Sequence, residues 1–370
     1  MRLTVDRTAL VDKLAILARG ASTRSALPVL SGVLLQATDG RLDLFATDME
    51  LSIKATLATV VEQDGDIVVP ARLFTDVVRN LPSETVAIEA SESAVRVTAG
   101  RAAFSLNSWA ASDFPQTSSF DMEGSLTVGR GPFVETLAKV GRAASRDETR
   151  PILTGVLVSM GGRSLKMVAT DSYRLAVKET VLEAEIANEV QAIVPVKALT
   201  EVARLAGTLG EGDIDVAIGE NQALFRLAGK DGDVYVASRL IDGQFPNYKQ
   251  LIPETFDHEV TLGKELFTAA ARRTSLLAQR NAPLRLTFAQ GKLTMRALTQ
   301  DVGQAEESLD MPYEGDEFEI GFNPQYLIEG IEAVDEDEVR LRFTNPLRPG
   351  LVSGAEGSFV YLIMPIRLSG

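Results

Sequence analysis

The chain has 370 residues, 45% of them hydrophobic and 24% charged, and this length favours about two to three globular domains. It has no Cys and one His, which excludes disulfides, thiolate metal sites, a Cys nucleophile and any site that needs two His residues. Its 37 basic and 51 acidic residues give a formal net charge of −14, which argues against nucleic-acid binding if the charge is spread evenly. Without an apolar signal segment or a stretch that could span a membrane, the chain is expected to be cytoplasmic.

Four kinds of segment recur along the chain in one order. A strand followed by a helix begins at Leu3, Leu126 and Val260. The blocks that follow recur at similar offsets, which are 123 residues from Pro28 to Pro151, 125 from Pro70 to Pro195 and 131 from Phe114 to Phe245. Repetition at a fixed period indicates repeated structural units. The sequence therefore predicts three copies of one unit, over residues 1–121, 122–252 and 253–370.

Each copy has two helix signals and several hairpin signals. The helices are predicted at 7–19, 71–80, 130–146, 196–206, 264–276 and 324–334. Asp6, Gly129 and Gly263 can cap the first helix of each copy, and Pro70, Pro195 and Pro324 suit the first turn of the second. Alternating runs such as 41–45 and 95–97, separated by turns such as Asp39-Gly40, indicate antiparallel strands. The predicted fold class is α+β, with two helices packed on antiparallel sheets in each copy.

The net charge is divided unevenly between the helices and the rest of the chain. The six predicted helices have 14 basic and 7 acidic residues, a net charge of +7, so the remainder has −21. Basic residues seven apart share a helix face because seven residues make about two turns. Such pairs are Arg72 with Arg79, Lys139 with Arg146, and Lys197 with Arg204.

A basic helix face on an acidic body suggests a surface that binds phosphates. Lys and Arg contacts to phosphate hold a nucleic acid without reading its sequence. Few aromatic residues lie among the helices, which favours duplex over single strands. The predicted contacts from the helices are Arg72, Arg79, Lys139, Arg142, Arg146, Lys197 and Arg204. The last helix is the exception, because it has no basic residue.

Several motifs together resemble the bacterial sliding clamp family, the beta subunit of DNA polymerase III, over essentially the whole chain. The motifs are Arg24 with Leu27-Pro28-Val29-Leu30, Val69-Pro70-Ala71-Arg72, Ala169-Thr170-Asp171 with Tyr173-Arg174-Leu175, Asp242-Gly243 with Phe245-Pro246, Ile320-Gly321-Phe322-Asn323, and Tyr361 with Met364-Pro365-Ile366-Arg367-Leu368. The resemblance implies a head-to-tail homodimer that closes into a ring, with helices inside around duplex DNA. It also implies a non-catalytic processivity factor without a cofactor, whose partners are the replicative polymerase, the clamp loader and other proteins with clamp-binding peptides.

The resemblance also assigns site residues. It adds Arg24 and Arg150 to the DNA contacts and supports Arg72 and Arg146. It implies a peptide pocket between the second and third copies, formed by Leu153, Thr170, Ser172, Tyr173, Arg174, Leu175, Pro246, Leu251, Leu362, Ile363, Met364, Pro365, Ile366, Arg367 and Leu368. Such a cleft accepts Leu or Phe side chains of short peptides. The implied dimer interface joins Phe104 and Leu106 of one chain to Leu276 and Leu277 of the other.

Some positions depart from the family pattern. Asp147 and Pro151 stand near the implied DNA contacts, Ser172 and Pro349 near the pocket, and Ser369-Gly370 extends the usual Arg-Leu end. The acidic run 335–338 lacks the spacing of a Ca²⁺ loop and is expected to be a solvated turn, with His258 as a surface residue.

Two other classes of protein stay open from the residues alone. One is an enzyme built from repeats, although the sequence lacks Cys and a GxSxG motif and has a single His. The other is a protein-interaction scaffold that never binds nucleic acid.

Overall fold

The computed structural model describes residues 1–22, 26–91, 93–116, 120–210, 212–278, 282–355 and 357–368. Over these residues the chain has six α-helices and 23 β-strands. The helices are α1 (Arg7–Leu17), α2 (Ala71–Arg79), α3 (Arg130–Val140), α4 (Val196–Thr208), α5 (Lys264–Ser275) and α6 (Pro324–Glu332).

The strands follow in chain order. The first ten are β1 (Arg2–Asp6), β2 (Gly32–Thr38), β3 (Arg41–Thr47), β4 (Leu51–Ala58), β5 (Val60–Gln63), β6 (Gly65–Pro70), β7 (Thr85–Ala90), β8 (Ala94–Ala99), β9 (Ala102–Asn107) and β10 (Leu126–Val128). The next five are β11 (Gly155–Thr170), β12 (Arg174–Pro195), β13 (Ile214–Ile218), β14 (Gln222–Leu227) and β15 (Val234–Arg239). The last eight are β16 (His258–Gly263), β17 (Leu284–Ala289), β18 (Lys292–Thr299), β19 (Gly303–Asp310), β20 (Phe318–Phe322), β21 (Glu338–Phe343), β22 (Gly350–Ser353) and β23 (Phe359–Ile363).

All six predicted helices are present, and two details of the prediction are wrong. The helix predicted at 130–146 ends at Val140 and continues only as a 3₁₀ turn at Gly141–Ala143. Arg146 therefore does not share a helix face with Lys139. Pro70 and Pro195 are the last residues of β6 and β12, so α2 and α4 begin one residue later, whereas Pro324 does occupy the first turn of α6.

Side-chain caps begin two of the helices. The Asp6 carboxylate accepts a hydrogen bond from the Ala9 N–H at 2.8 Å, and the Asn323 side chain accepts from the N–H groups of Gln325 and Tyr326. A side-chain oxygen at this position satisfies N–H groups that have no partner within the helix. These caps set the starts of α1 and α6.

The strands form four sheets, and each pairing between named strands in the described residues is antiparallel. The chain divides into two compact units. Unit 1 comprises Met1–Phe133 and Lys197–Leu240, and unit 2 comprises Val134–Val196 and Ile241–Gly370. The middle sequence copy is thus shared, because its strands hydrogen-bond to strands of both other copies. The predicted α+β class of antiparallel sheets is confirmed, whereas the copy boundaries stay a prediction.

Unit 1 has a five-stranded sheet in the order β5-β1-β7-β8-β9 and an eight-stranded sheet in the order β10-β13-β14-β15-β4-β3-β2-β6. In the larger sheet β15 pairs with β4, with Val236 opposite Ile53 and both side chains fully buried. The helix α1 packs on β3 and β4 and against α2. Burying the apolar sides of these layers against one another forms the core of the unit.

Unit 2 has a six-stranded sheet in the order β11-β12-β23-β22-β21-β16 and a four-stranded sheet in the order β19-β18-β17-β20. In the larger sheet β12 pairs with β23, so the end of the chain lies beside the middle copy. Phe288 and Phe343 are buried in this unit with ring centroids 5.4 Å apart, and His258 stacks on Phe318 at 4.1 Å. His258 is therefore half-buried against aromatic rings and is not the surface residue that the sequence predicts.

Candidate functional site

A tight turn joins β11 to β12 in unit 2. The Asp171 carboxylate accepts hydrogen bonds from the N–H groups of Tyr173 (2.9 Å) and Arg174 (3.0 Å), and the Thr170 hydroxyl donates to the Arg174 carbonyl at 2.6 Å. Ser172 has φ of 78°, in the left-handed region that a residue with a side chain rarely adopts. The turn is thus held from within, and it projects the side chains of Ser172 and Tyr173 into solvent.

The last strand of the chain lies beside this turn. Leu175 pairs with Leu362 across the strands, and the Met364 N–H donates to the Tyr173 carbonyl at 2.8 Å. The predicted grouping of residues 170–175 with residues 362–364 is therefore present in the structure. This grouping depends on the register of β12 and β23, because a slip of one residue would turn the side chains of the shifted strand to the other face of the sheet.

A buried apolar floor extends under the turn. Leu175 and Leu362 are each buried in a cluster with Leu157, Val168, Ile193 and Leu351. Phe245, Tyr248 and Ile252 are half-buried and pack on this cluster from the segment that follows residue 241. Tyr173 (61% exposed), Leu251 (52%) and Met364 (43%) are exposed apolar side chains of the same unit. A buried floor with exposed apolar residues at its border is suited to an apolar ligand or peptide.

The remaining predicted pocket residues take varied positions. Leu153 and Ile363 are buried, Pro365, Ile366 and Leu368 are half-buried, and Pro246 and Arg367 are exposed. The Ile366 N–H donates to the Gly321 carbonyl at 2.8 Å, which fixes the end of the chain on β20. The Ser369-Gly370 extension lies outside the described residues.

One buried cation supports the turn from behind. The Arg174 guanidinium is 9% exposed and donates to Asp171 at 3.0 Å and to Glu329, Tyr361 and the Arg142 carbonyl. It also lies over the Tyr326 ring, 4.2 Å from the centroid. Burial opposes its charge, but Tyr361 and Glu329 outweigh this and raise the pKa of Arg174. Burial raises the pKa of the Tyr361 hydroxyl, which keeps it neutral beside this network.

The sequence pattern did not reveal the partners of Arg174. Glu329 and Tyr361 lie far from the turn along the chain and meet it only in the folded unit. The one available signal was the absence of basic residues from α6, whose Glu332 pairs with Arg142 and Arg272. This helix therefore neutralises basic residues of its own unit.

The basic residues predicted to contact phosphate fall into two groups. Arg72 and Arg79 are exposed on α2, Arg146 is exposed after α3, and none of the three forms an ion pair among the described residues. Leu73 is 51% exposed beside them and does not belong to the buried face of α2. Three guanidinium groups are thus free for an anion, whereas Arg24 lies outside the described residues.

The other predicted basic residues are already paired. Lys197 pairs with Asp48 at 2.6 Å, Arg150 with Asp147 at 2.9 Å, Arg142 with Glu332 at 3.4 Å, and Arg204 with Glu201. Lys139 is 8% exposed and pairs with Glu135 and Asp335, so its ammonium is not presented to solvent. The acidic run at 335–338 accordingly includes an ion-pair partner rather than only a solvated turn.

Two of the four residues predicted for the dimer interface are exposed in their own units. Phe104 on the edge strand β9 is 43% exposed and Leu276 after α5 is 73% exposed, while Leu106 is buried and Leu277 is half-buried. Beyond its pairing with β8, β9 has a free edge among the described strands. An exposed edge with apolar side chains is a common site of chain association.

The described residues include no group of three or more His, Cys, Asp or Glu side chains placed to hold a metal ion. None of the described helices is long and apolar enough to cross a membrane. The repeated sheets, the apolar floor and the exposed arginines are typical of a binding protein with surfaces suited to apolar peptides and to anions.

Comparison with known proteins identifies the family. The family models of the DNA polymerase III beta subunit match residues 1–118 (N-terminal domain), 127–247 (central domain) and 249–367 (C-terminal domain). The chain belongs to the DNA polymerase III beta subunit family, the bacterial sliding clamps. Members of this family are processivity factors of DNA polymerase without catalytic activity of their own, as the sequence motifs predicted.

The similarity to individual relatives extends over the full length of the chain. The beta sliding clamp of Streptomyces coelicolor is 35% identical, with 100% of each chain covered. The crystal structure of the Bacillus subtilis sliding clamp superposes with a TM-score of 0.94 at 29% identity over 100% of both chains. A Pseudomonas aeruginosa clamp bound to griselimycin superposes with a TM-score of 0.89 at 30% identity, again over 100% of both chains. The enzyme and the scaffold that never meets nucleic acid are thereby excluded.

Proposed function

We propose that two copies of this chain close head to tail into a ring around duplex DNA, and that partner proteins dock a peptide on the apolar floor of unit 2. The observation that supports the peptide site best is the pairing of β12 with β23. It places the exposed Tyr173 and Met364 beside the buried Leu175 and Leu362, although the two segments lie far apart in the sequence. Partner Leu or Phe side chains would cover this floor, and Met364 adapts to different ligands because its side chain is unbranched.

The proposed pocket comprises the residues of the turn, the last strand and the segments that pack beside them. These are Leu153, Thr170, Ser172, Tyr173, Arg174, Leu175, Pro246, Leu251 and residues 362–368. Arg174 is assigned a positioning role, because its guanidinium is buried under the turn and each of its three nitrogens donates a hydrogen bond to the protein. The exposed side chains of Tyr173, Leu251 and Met364 are assigned the direct contacts.

The proposed DNA contacts are ranked by whether each basic side chain already forms an ion pair with a carboxylate. Arg72, Arg79 and Arg146 are free and need only their hydration removed, so they are assigned the strongest contacts. Arg142, Arg150, Lys197 and Arg204 are assigned weaker contacts, because a phosphate has to displace a carboxylate from each. Lys139 is no longer assigned a contact because it is buried in ion pairs. Arg24 keeps its assignment from the family resemblance alone.

The proposed dimer contact joins Phe104 and Leu106 of one chain to Leu276 and Leu277 of the other. The free edge of β9 and the high exposure of Leu276 support this assignment. A head-to-tail contact of this kind closes only at a fixed number of copies, and two copies would place six sequence copies around the ring. The copies are proposed to span residues 1–121, 122–252 and 253–370, and the protein is proposed to act in the cytoplasm, where chromosomal DNA is replicated.

Retention on DNA tests the proposed ring. After loading onto circular duplex, the protein should stay bound through gel filtration in high salt and should be lost when the circle is cut. Topological linkage predicts this difference because it does not depend on a strong local contact. Equal retention on circular and linear DNA would contradict the ring.

Peptide binding tests the proposed pocket separately. Met364→Ala should weaken binding of a Leu- and Phe-containing polymerase peptide about tenfold or more, since it removes a large apolar contact. Met49→Ala is the matched control, because Met49 is also exposed but lies in unit 1. Unchanged affinity in Met364→Ala would contradict the pocket assignment, and the dimer mass should be the same in both variants.

A further inference from the structure

On one face of the sheet formed by β11 and β12, pairs of apolar residues are followed directly by pairs of polar residues. Residues two apart in a strand share a face, and residues opposite each other in paired strands share it too. Leu157 lies opposite Ile193, and Val168 opposite Val177, on the apolar part of the face. The next positions on that face are Ser159 opposite Gln191, and Lys166 opposite Glu179.

The polar part of this face borders a cavity in unit 2. The cavity has a volume of about 600 Å³, and its lining includes Ser159, Lys166, Glu179, Gln191, Tyr248 and Lys249. Tyr248 also packs on the apolar floor described above. The cavity is therefore a polar groove that continues the proposed peptide site along the same sheet face, with Tyr248 at the boundary.

The floor of the polar groove is electrically balanced. Lys166 pairs with Glu179 at 2.7 Å, the Ser164 hydroxyl donates to Glu179 at 2.8 Å, and the Gln191 amide donates to the Ser159 hydroxyl at 2.9 Å. Hydrogen bonds from Lys166 and Ser164 lower the pKa of the Glu179 carboxyl, so it stays ionised at neutral pH. A floor of this kind offers hydrogen-bonding groups without a strong net field.

Two exposed charged residues of the lining, Glu189 and Lys249, form no ion pair among the described residues. Lys249 follows Tyr248 directly in the chain. It therefore lies next to the boundary between the apolar floor and the polar groove, where it can attract a carboxylate.

The distance from the apolar floor into the groove fits a short extended segment. From Leu157 on the apolar floor to Gly161 in the groove lining, a strand rising about 3.3 Å per residue advances about 13 Å. An extended peptide has a similar rise, so about four residues can lie along this distance. Such residues would be polar, in contrast to those that cover the apolar floor.

We propose that this polar groove binds the residues flanking the apolar motif of a partner peptide, with Lys249 contacting an acidic side chain next to that motif. The inference rests on the proposed peptide site and extends it beyond the apolar floor. The occupant is a partner peptide because the groove is continuous with that site and because Lys249, which has no ion pair among the described residues, lies at the junction. A partner that ends at its apolar motif would not gain from the groove.

Fluorescence anisotropy with matched peptides tests this proposal. The first probe is a short peptide with only the Leu and Phe motif of the same organism's replicative polymerase. The other probes extend it at the amino or the carboxyl end by about four polar residues, the first of them Glu. At least one extended probe should bind the wild-type protein about fivefold more tightly than the short probe, as expected for one partly exposed ion pair with added hydrogen bonds.

Charge reversal identifies the residue responsible. Lys249→Glu should remove the advantage of the extended probe and leave the short probe unchanged, whereas Lys230→Glu, an exposed lysine of unit 1, should change neither. Equal binding of short and extended probes to the wild type, or an advantage that survives Lys249→Glu, would overturn the proposal. Failure of the short probe to bind the wild type would instead refute the peptide site itself, and the groove proposal with it.

Discussion

Replacing Arg174 by Met should destabilise the turn of the peptide site more than any exposed substitution nearby. The guanidinium is 9% exposed, and its loss removes the cation that pairs with the carboxylates of both Asp171 and Glu329. Methionine has a similar length, so the change removes charge and hydrogen bonds with little loss of volume. Breaking a buried ion pair from one side costs about 3–5 kcal/mol. We expect about 3 kcal/mol, because Asp171 keeps its bonds from the turn N–H groups.

Hydrogen exchange measures this loss where it occurs. The amides of Tyr173 and Arg174 donate to Asp171, so their exchange reports the opening of the turn. In Arg174→Met these amides should exchange about a hundredfold faster, which corresponds to about 3 kcal/mol. Amides of β14 in unit 1 supply the internal control.

A second substitution separates charge from packing. Adding Glu329→Gln to Arg174→Met should restore part of the protection, because it removes one of the two uncompensated carboxylates. The single Glu329→Gln variant completes the double-mutant cycle. Protection of the turn in Arg174→Met equal to that of the wild type would refute the reasoning, as would a double variant that exchanges faster than Arg174→Met.

Three further predictions concern acid stability, DNA contact and dimer formation. Burial opposes ionisation of Asp335, but Lys139 outweighs burial and lowers the pKa of this carboxyl. The ionised Asp335 therefore stabilises the fold at neutral pH, and this stabilisation is lost as the pH falls through the lowered pKa. Asp335→Asn should therefore lose less stability than the wild type between neutral pH and acid in urea titrations, and equal losses would contradict this. Arg72→Ala should reduce the salt dependence of duplex binding by about 0.9 in logarithmic slope per lost phosphate contact, and an unchanged slope would exclude that contact. Leu276→Asp should convert dimers into monomers in analytical ultracentrifugation, because it places a charge in an apolar contact, and a persistent dimer would exclude this residue from the interface.

The chain order of the elements was predictable from local sequence. Helix starts lie within one residue of Asp6, Asn323, the prolines before α2 and α4, and Pro324, the first residue of α6. These signals are local, because a cap or a fixed proline φ acts on the next few residues alone. The end of α3 was mispredicted, since the apolar spacing continues beyond Val140 while the backbone changes to a 3₁₀ turn.

Which charges are available was decided by the fold. By sequence, Lys139 and Arg146 are equivalent basic residues seven positions apart. In the structure Lys139 is buried against Asp335, nearly two hundred residues away along the chain, and Arg146 is exposed without an ion pair. Pairing of this kind depends on distances in space, which neither composition nor periodicity contains.

The sequence by itself determined the threefold repetition, the α+β class and the family, because these follow from repeated local patterns and from motifs that need no coordinates. Only the tertiary structure decided how the chain divides into compact units, since the middle copy hydrogen-bonds to strands of both other copies. It also decided that the Arg174 guanidinium is buried under the turn, and that the apolar floor continues into a polar groove. The physical reason is common to all three, because strand register and burial arise from contacts between distant segments.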